Sequence, residues 1–458
     1  MLFSTQPFLL VFLPIVLLLF YSCAKIRPLR QLVLIGASFV FYGIWNWRFV
    51  PFLFLLTLLN WLLAYQFGRT KQKLWLVIGI IINLAMLGFF KYANFFAENI
   101  EALWGRQHVA WQIVLPLGIS FFVFQKISYL VDLSRGAKNI YNVLDFFEFV
   151  TFFPQLISGP LVRHNEIIPQ FENNPKGAYF WENISKGLCF IVIGLVKKAG
   201  IAESLGMICN PLFDQVSNGQ MLNWGQAWVA AISYSLQIFF DFSGYSDMAI
   251  GIALLFGLRL PFNFNAPYQS HNLQEFWRRW HMTLSRFFRD YLYIPLGGNR
   301  CSSTREATNL MLTMLLAGLW HGAGWTFIAW GGLHGSGLVV NHFWKRTNLK
   351  LPSFLGWFLT LLFLIFTWVI FRASDFNSAV HIWQSMIGLY GIGSVTFKHS
   401  FEFWVGILLV LLCPASQILI NRYLRPSVWI AVIGGVIAVF FLLLVGGRIP
   451  DAFIYFRF

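Results

Sequence analysis

Apolar runs close to bilayer-crossing length recur along the whole chain. A helix needs about 20 predominantly apolar residues to cross the hydrocarbon core. Clear runs occupy residues 7–23, 31–44, 49–67, 74–90, 354–371, 401–420 and 428–445. Less regular ones lie at 111–133, 184–211, 224–240, 244–258, 307–320 and 325–340. The pattern predicts an all-α polytopic membrane protein with roughly eleven transmembrane helices, since re-entrant segments blur the boundaries between runs. The middle third, about residues 151–345, differs in texture from the flanks: Pro, Gly, Arg, His and Trp interrupt its apolar pattern. Irregular backbone at membrane depth is tolerated only where protein or a watery cavity covers it. The middle third is therefore where re-entrant and amphipathic segments, and the chemistry, are expected. With no repeat or linker in view, residues 1–458 read as one membrane-embedded domain.

Composition agrees with this reading. The chain is 58% hydrophobic and 11% charged, with mean hydropathy +0.65; soluble domains carry about 25% charged residues. The first run lacks the basic flank and small-residue cleavage site of a signal peptide. The formal net charge of +15 is read as basic cytoplasmic loops, not as a nucleic-acid surface. Lys25, Arg27 and Arg30 follow the first run, and Arg69, Lys71 and Lys73 follow the third. The positive-inside rule places both loops in the cytoplasm and the N-terminus outside. The five cysteines are isolated, without ligand spacing, so neither a metal site nor a disulfide framework is expected.

The densest polar stretch is FWRRWHMTLSRFFRDYLYIPLGGNR, residues 276–300. Its periodicity predicts a helix over 271–291, with Trp277, Trp280, Leu284, Phe288 and neighbours on one stripe. Arg278, Arg279, Arg286 and Arg289 fall on the other side, and His281 on the flank of the stripe. A surface helix with snorkelling arginines fits that pattern as well as a buried site does.

His321 ends the run 307–320 and is followed by Gly322 and Gly324, which are expected to break the helix and open a cavity at the imidazole. Histidine titrates near neutrality and can take a proton from an acceptor hydroxyl or thiol. A buried helix-end histidine bonded to a carbonyl is the plain alternative. Asp241 and Asp247 frame DFSGYSD between two runs and need partners, for which Arg259 or the 278–289 arginines are available. His334 and His342 are read as supporting groups and kept out of the site. His108, His164, His271, His381 and His399 read as solvated. No GxSxG, HExxH or GxxxxGK[ST] motif is present, which argues against a serine hydrolase, a zinc protease or an ATP-driven pump.

The segments 152–171 (FFPQLISGPLVRHNEIIPQF), 241–300 and 316–335 (LAGLWHGAGWTFIAWGGLHG) resemble the membrane-bound O-acyltransferase family. Within it they resemble the bacterial branch that contains the alginate O-acetyltransferase membrane subunit. The terminal FIYFRF fits as well. The resemblance implies a helical bundle around a central tunnel, through which an acyl group passes from a cytoplasmic thioester, with acetyl-CoA as the donor and no bound cofactor. It implies His321, in WHG, and His281, in RWH, as catalytic positions. Arg278, Arg279 and Arg289 are candidates for holding the donor. It further implies the inner membrane of a bacterium, a periplasmic or membrane-anchored partner that receives the acetyl group, and O-acetylation of an extracytoplasmic polysaccharide, foremost alginate. Peptidoglycan or cellulose acetylation uses the same motifs. From the residues alone, a transporter or a scaffold of a polysaccharide export complex stays open.

Overall fold

The computed structural model describes residues 2–137, 140–347, 349–393, 395–425 and 427–446, so the terminal FIYFRF segment lies outside the described residues. Among the described residues every regular element is helical. Among the described residues five helices are long and apolar enough to cross a bilayer: Arg27–Thr70, Leu74–Leu103, Trp224–Leu255, Ser353–Arg372 and Val428–Gly446. Ser400–Leu412 and Ser416–Tyr423, bent by 69°, make a sixth if they count as one broken span. This is an all-α multi-pass architecture with fewer uninterrupted spans than the roughly eleven expected from apolar runs. Two causes are visible. Arg27–Thr70 holds two predicted spans, joined by a 3-10 turn at Trp47–Phe49. The runs at 224–240 and 244–258 are a single helix, α1 (Trp224–Leu255), so the DFSGYSD sequence does not break it.

The chain divides into two compact units, each discontinuous in sequence; residues up to 192 with 246–261 form the first, and 193–245 with 262–444 the second. In the first unit a polar lattice replaces the simple apolar packing expected of the early spans. Arg27 pairs with Asp145 at 2.6 Å. The Gln31 amide donates to Asp145 at 2.8 Å and to Glu148 at 2.7 Å. Asn142 caps the Val143–Thr151 helix through the backbone N–H of Asp145. His164 is buried here, with its ring nitrogens 3.2 Å from Asp132 and from the Tyr141 hydroxyl, where sequence reading has it solvated. His108 is also withdrawn from solvent, against Trp111 and 3.2 Å from Glu101.

In the second unit, Asp241 on α1 meets Lys198 from the π-helical turn Val196–Ala202, and both side chains are buried. The expected arginine partners are therefore replaced by a lysine that the sequence left unassigned. Gly244, one turn further along α1, lets the two backbones approach: a methyl there would sit 2.8 Å from the carbonyl oxygen of Gly194 and 3.1 Å from the amide of Lys198. Lys197 turns the other way and donates to the Ser416 hydroxyl at 2.6 Å.

Four further helices build the part of this unit that matters most for chemistry. They are α2 (Leu273–Arg279), α3 (Met282–Phe288), α4 (Ser303–His321) and α5 (Trp325–Trp344). The last two form an antiparallel hairpin packed almost backbone to backbone. A methyl at Gly318 would collide with the carbonyl of Phe327, one at Gly331 with the carbonyl of Met314, and one at Gly335 would lie 2.8 Å from the Met311 sulfur. Small residues at such crossings replace the hydrophobic drive that lipid surroundings withdraw. Helix α6 (Ser353–Arg372) packs on α5 and delivers Trp368 and Phe371 to the same core.

Breaking one half of a buried ion pair strands the other charge, at a cost of about 3–5 kcal/mol, whereas replacing both by apolar groups is often tolerated. Lys198→Met and Asp241→Asn should each lower the thermal midpoint of the detergent-solubilised protein, and Lys198→Met with Asp241→Leu should recover most of the loss. A double variant no more stable than the worse single one would contradict the pairing.

Candidate active site

The helix expected over 271–291 is broken in the middle. It starts well: the Asn272 side chain accepts from the Glu275 backbone N–H at 2.9 Å, and Glu275 returns to the His271 N–H at 2.9 Å, a reciprocal cap. The predicted Glu275–Arg279 pair forms at 2.7 Å. Then Trp280 becomes extended and His281 adopts a left-handed backbone at φ 42°. A non-glycine residue holds that conformation only where its surroundings enforce it. The enforcing group is Asn263. Its side-chain oxygen accepts from the Thr283 backbone at 3.2 Å and the Thr283 hydroxyl at 2.9 Å, and lies 3.1 Å from His281 Nδ1. The neighbouring backbone supplies the bonds the helix gives up, Asn265 N–H to the Arg279 carbonyl and Met282 N–H to that of Asn263, each at 2.9 Å. Trp280 is thereby turned inward, stacked on Phe276 at 5.5 Å and 5.1 Å from Trp368. With Trp280 and His281 both buried, the segment is not a simple surface helix.

His321 is the last residue of α4. The helix stops there because of close packing: Gly322 is extended, and any side chain on it would strike the Phe327 ring. Aromatic rings enclose the imidazole, with Trp320 at 4.9 Å, Trp330 at 5.1 Å and Phe371 at 5.3 Å, all edge-on. Trp320 also lies 6.2 Å from the His281 ring, so one indole separates the two histidines that the motifs single out. His334 is buried against Trp330 at 4.6 Å and accepts from Trp277 Nε1 at 3.3 Å.

A cavity of about 660 Å³ opens beside His321, lined wholly by residues between 274 and 346. Trp277, Met282, Met314 and Ala317 line it with His321; Arg278, Arg286, Arg289, Lys345 and Arg346 bring positive charge to it. Tyr293, Glu306 and His342 also line it. The Tyr293 hydroxyl donates to Glu306 at 3.4 Å, and His342 Nδ1 lies 3.3 Å from the same carboxylate oxygen. Burial, together with Glu306, pushes the Tyr293 phenol up to about 12, so it keeps its proton at neutral pH. Glu306 and His321 lie 15 residues apart on α4, which at 1.5 Å per residue separates them by about 22 Å along its axis. The cavity thus has a histidine end and a basic end.

The structure sorts the candidate residues. His321, Arg278 and Arg289 line the cavity; Arg289 also pairs with Asp290 at 2.6 Å. Arg279 does not, because Glu275 holds it on the flank of α2. His281 does not either: it is packed behind Trp320, where Asn263 and Phe242 hold it. Sequence reading passed over Tyr293, Glu306, Lys345 and Arg346 and left His342 in reserve. The basic doublet closing α5 is a signal present in the sequence. The Glu306–His342 contact has no local signature, since the two residues meet only across the folded hairpin.

Residues 70–380 match the profile of the membrane-bound O-acyltransferase family. The chain is 41% identical over 428 residues to the peptidoglycan O-acetyltransferase of Helicobacter pylori, covering 86% of this chain and 81% of that protein. It is 40% identical over 398 residues to the probable alginate O-acetylase AlgI of Pseudomonas aeruginosa, covering 84% and 75%. A teichoic acid D-alanyltransferase of Streptococcus thermophilus is 33% identical over 239 residues, half of this chain and 57% of its own length.

Removing a buried acceptor leaves each of its donors unsatisfied, at about 1–3 kcal/mol per group. Asn263→Ala should therefore lower the thermal midpoint and the acyl-transfer rate together, while Asn263→Asp, which keeps the oxygen, should retain more of both. An Asn263→Ala protein as stable and active as the parent would contradict the role of this side chain in holding the break.

Proposed function

Since the chain belongs to the membrane-bound O-acyltransferase family and is an acyltransferase, we propose that it takes an acetyl group from acetyl-CoA in the cytoplasm. It passes that group across the bacterial inner membrane for O-acetylation of an extracytoplasmic glycan. The supporting observation is the cavity that joins His321 to a cluster of cations. The span of about 22 Å along α4 from Glu306 to His321, both of which line the cavity, is of the order of an extended pantetheine arm, with the thioester at His321 and the phosphates among Arg289, Lys345 and Arg346. Guanidinium and ammonium groups form charge-assisted bonds to phosphate oxygens. The basic end of the hairpin also carries Arg300, Arg305 and Lys350, and positive loops favour the cytoplasmic side. The donor then enters from the compartment that holds it.

In the transfer, His321 takes the proton from the acceptor hydroxyl as its oxygen attacks the thioester carbonyl. The acyl–sulfur bond breaks, the acyl–oxygen bond forms, and the proton leaves on the thiol. His281 serves as a positioning residue through Trp320. The acceptor hydroxyl belongs to an extracytoplasmic protein, which then hands the acetyl group to a hydroxyl of the polymer and recovers its own. Alginate and peptidoglycan are the two glycans that the names of the most similar relatives support, and the 41% match to a peptidoglycan enzyme weighs as much as the 40% match to an alginate one. The transporter and scaffold readings offer no role for a thioester-length cavity ending at a histidine.

In cells carrying His321→Ala, glycan O-acetylation should be lost while the amount of the protein in the membrane stays normal. Retained acetylation at normal abundance would remove His321 from the chemistry and overturn the proposal.

A further inference from the structure

The basic end of the α4–α5 hairpin extends past the cavity, and its outer rim joins charge to exposed hydrocarbon. Residues 291–355 hold five cations, Arg300, Arg305, Lys345, Arg346 and Lys350, against one carboxylate, Glu306. That carboxylate is engaged by Tyr293 and His342. Lys345 and Arg346 line the cavity. Arg300, Arg305 and Lys350 do not; they are exposed, and among the described residues none of the three has an ion pair. Arg346 donates to the Ser303 hydroxyl, which sets the start of α4, with Arg305, beside the end of α5. The Trp344 indole donates to the Leu349 carbonyl at 3.1 Å, which folds the chain back on that end and brings Lys350 to the same rim. Around Lys350 the surface is apolar: Leu349 is 62% exposed, and Phe354, in the first turn of the bilayer-length helix α6, is 71% exposed. Leu351 is exposed between them, and Val340 and Phe343 are exposed in the last two turns of α5. Such a surface is stabilised by hydrocarbon and not by water. A soluble phosphate would engage the cations and leave these side chains wet. An anionic amphiphile satisfies both, with its head on the cations and its chains over the apolar side chains.

We propose that Arg300, Arg305 and Lys350, with Leu349, Leu351 and Phe354, form a binding surface for an anionic glycerophospholipid of the bilayer. The guanidinium and ammonium groups take the phosphodiester in charge-assisted bonds, and the acyl chains lie over the exposed side chains of α5 and α6. The surface is outside the cavity and uses none of its cations. Only the choice of leaflet rests on the orientation given above: a basic mouth favours the cytoplasmic side, where the leaflet carries anionic lipid.

The test is native mass spectrometry of the full chain, freed of lipid in detergent and titrated with dioleoylphosphatidylglycerol or dioleoylphosphatidylethanolamine, which share their chains and differ in charge. The anionic lipid should bind the parent protein at least about tenfold more tightly, since one cation near an anionic head strengthens binding about fivefold. Lys350→Gln should weaken phosphatidylglycerol about fivefold, and the triple variant Arg300→Gln, Arg305→Gln, Lys350→Gln should bring it to the level of phosphatidylethanolamine. Leu349→Ser with Phe354→Ser should weaken both lipids. Glycerol 3-phosphate, a head without chains, should not displace the bound lipid. Equal binding of the two lipids to the parent protein would overturn the site, and so would unchanged phosphatidylglycerol binding in the triple variant at an unchanged thermal midpoint. Displacement by glycerol 3-phosphate, or binding unaltered in the serine variant, would show a soluble-phosphate site and overturn the lipid assignment. The comparison of lipids on the parent protein needs no variant, so an unstable variant leaves the test intact.

Discussion

The arrangement of this protein's chemistry depends on how closely two helices can pack. Gly318, Gly331 and Gly335 let α4 and α5 lie together almost backbone to backbone, at a spacing no larger residue permits. The hairpin fixes His321 at one end and the Glu306–His342 contact at the other. A site built across two rigid helices holds its groups at a set separation, which a flexible loop does not. The cavity therefore has a defined length, and its two ends can differ in charge and hydration without interfering.

The second constraint is the break at His281. A continuous helix over 271–291 would carry Trp280 on one amphipathic stripe and His281 on its flank. The left-handed turn held by Asn263 sends Trp280 into the aromatic core and leaves Arg278 at the cavity while Arg279 stays with Glu275. The aromatic core is continuous from Phe276 through Trp280, Trp368 and Trp330 to His321. A shift at the break is felt at the imidazole through packed rings, and dense interiors transmit such displacements.

The apolar runs reveal the helices and their class, because a bilayer demands long stretches of one composition. Motif texture reveals His321, since a histidine followed by two glycines and flanked by tryptophans has few uses in lipid. The number of uninterrupted spans was less legible. Whether Asp241 breaks a helix depends on a partner 43 residues away, and Lys198 satisfies it in place. The break at His281 was illegible for the same reason: local periodicity favours a helix, and only the tertiary contact with Asn263 overrides it. His164 was misread as solvated because nothing nearby in sequence announces Asp132 or Tyr141.

We propose that one hairpin sets the distance from a basic mouth to a reacting histidine. The most direct measurement is a cryo-EM structure of the full chain with a non-hydrolysable thioether analogue of acetyl-CoA. The sulfur is expected against His321 and the phosphates among Arg289, Lys345 and Arg346. An analogue seated elsewhere, or bound with its phosphates toward His321, would contradict it.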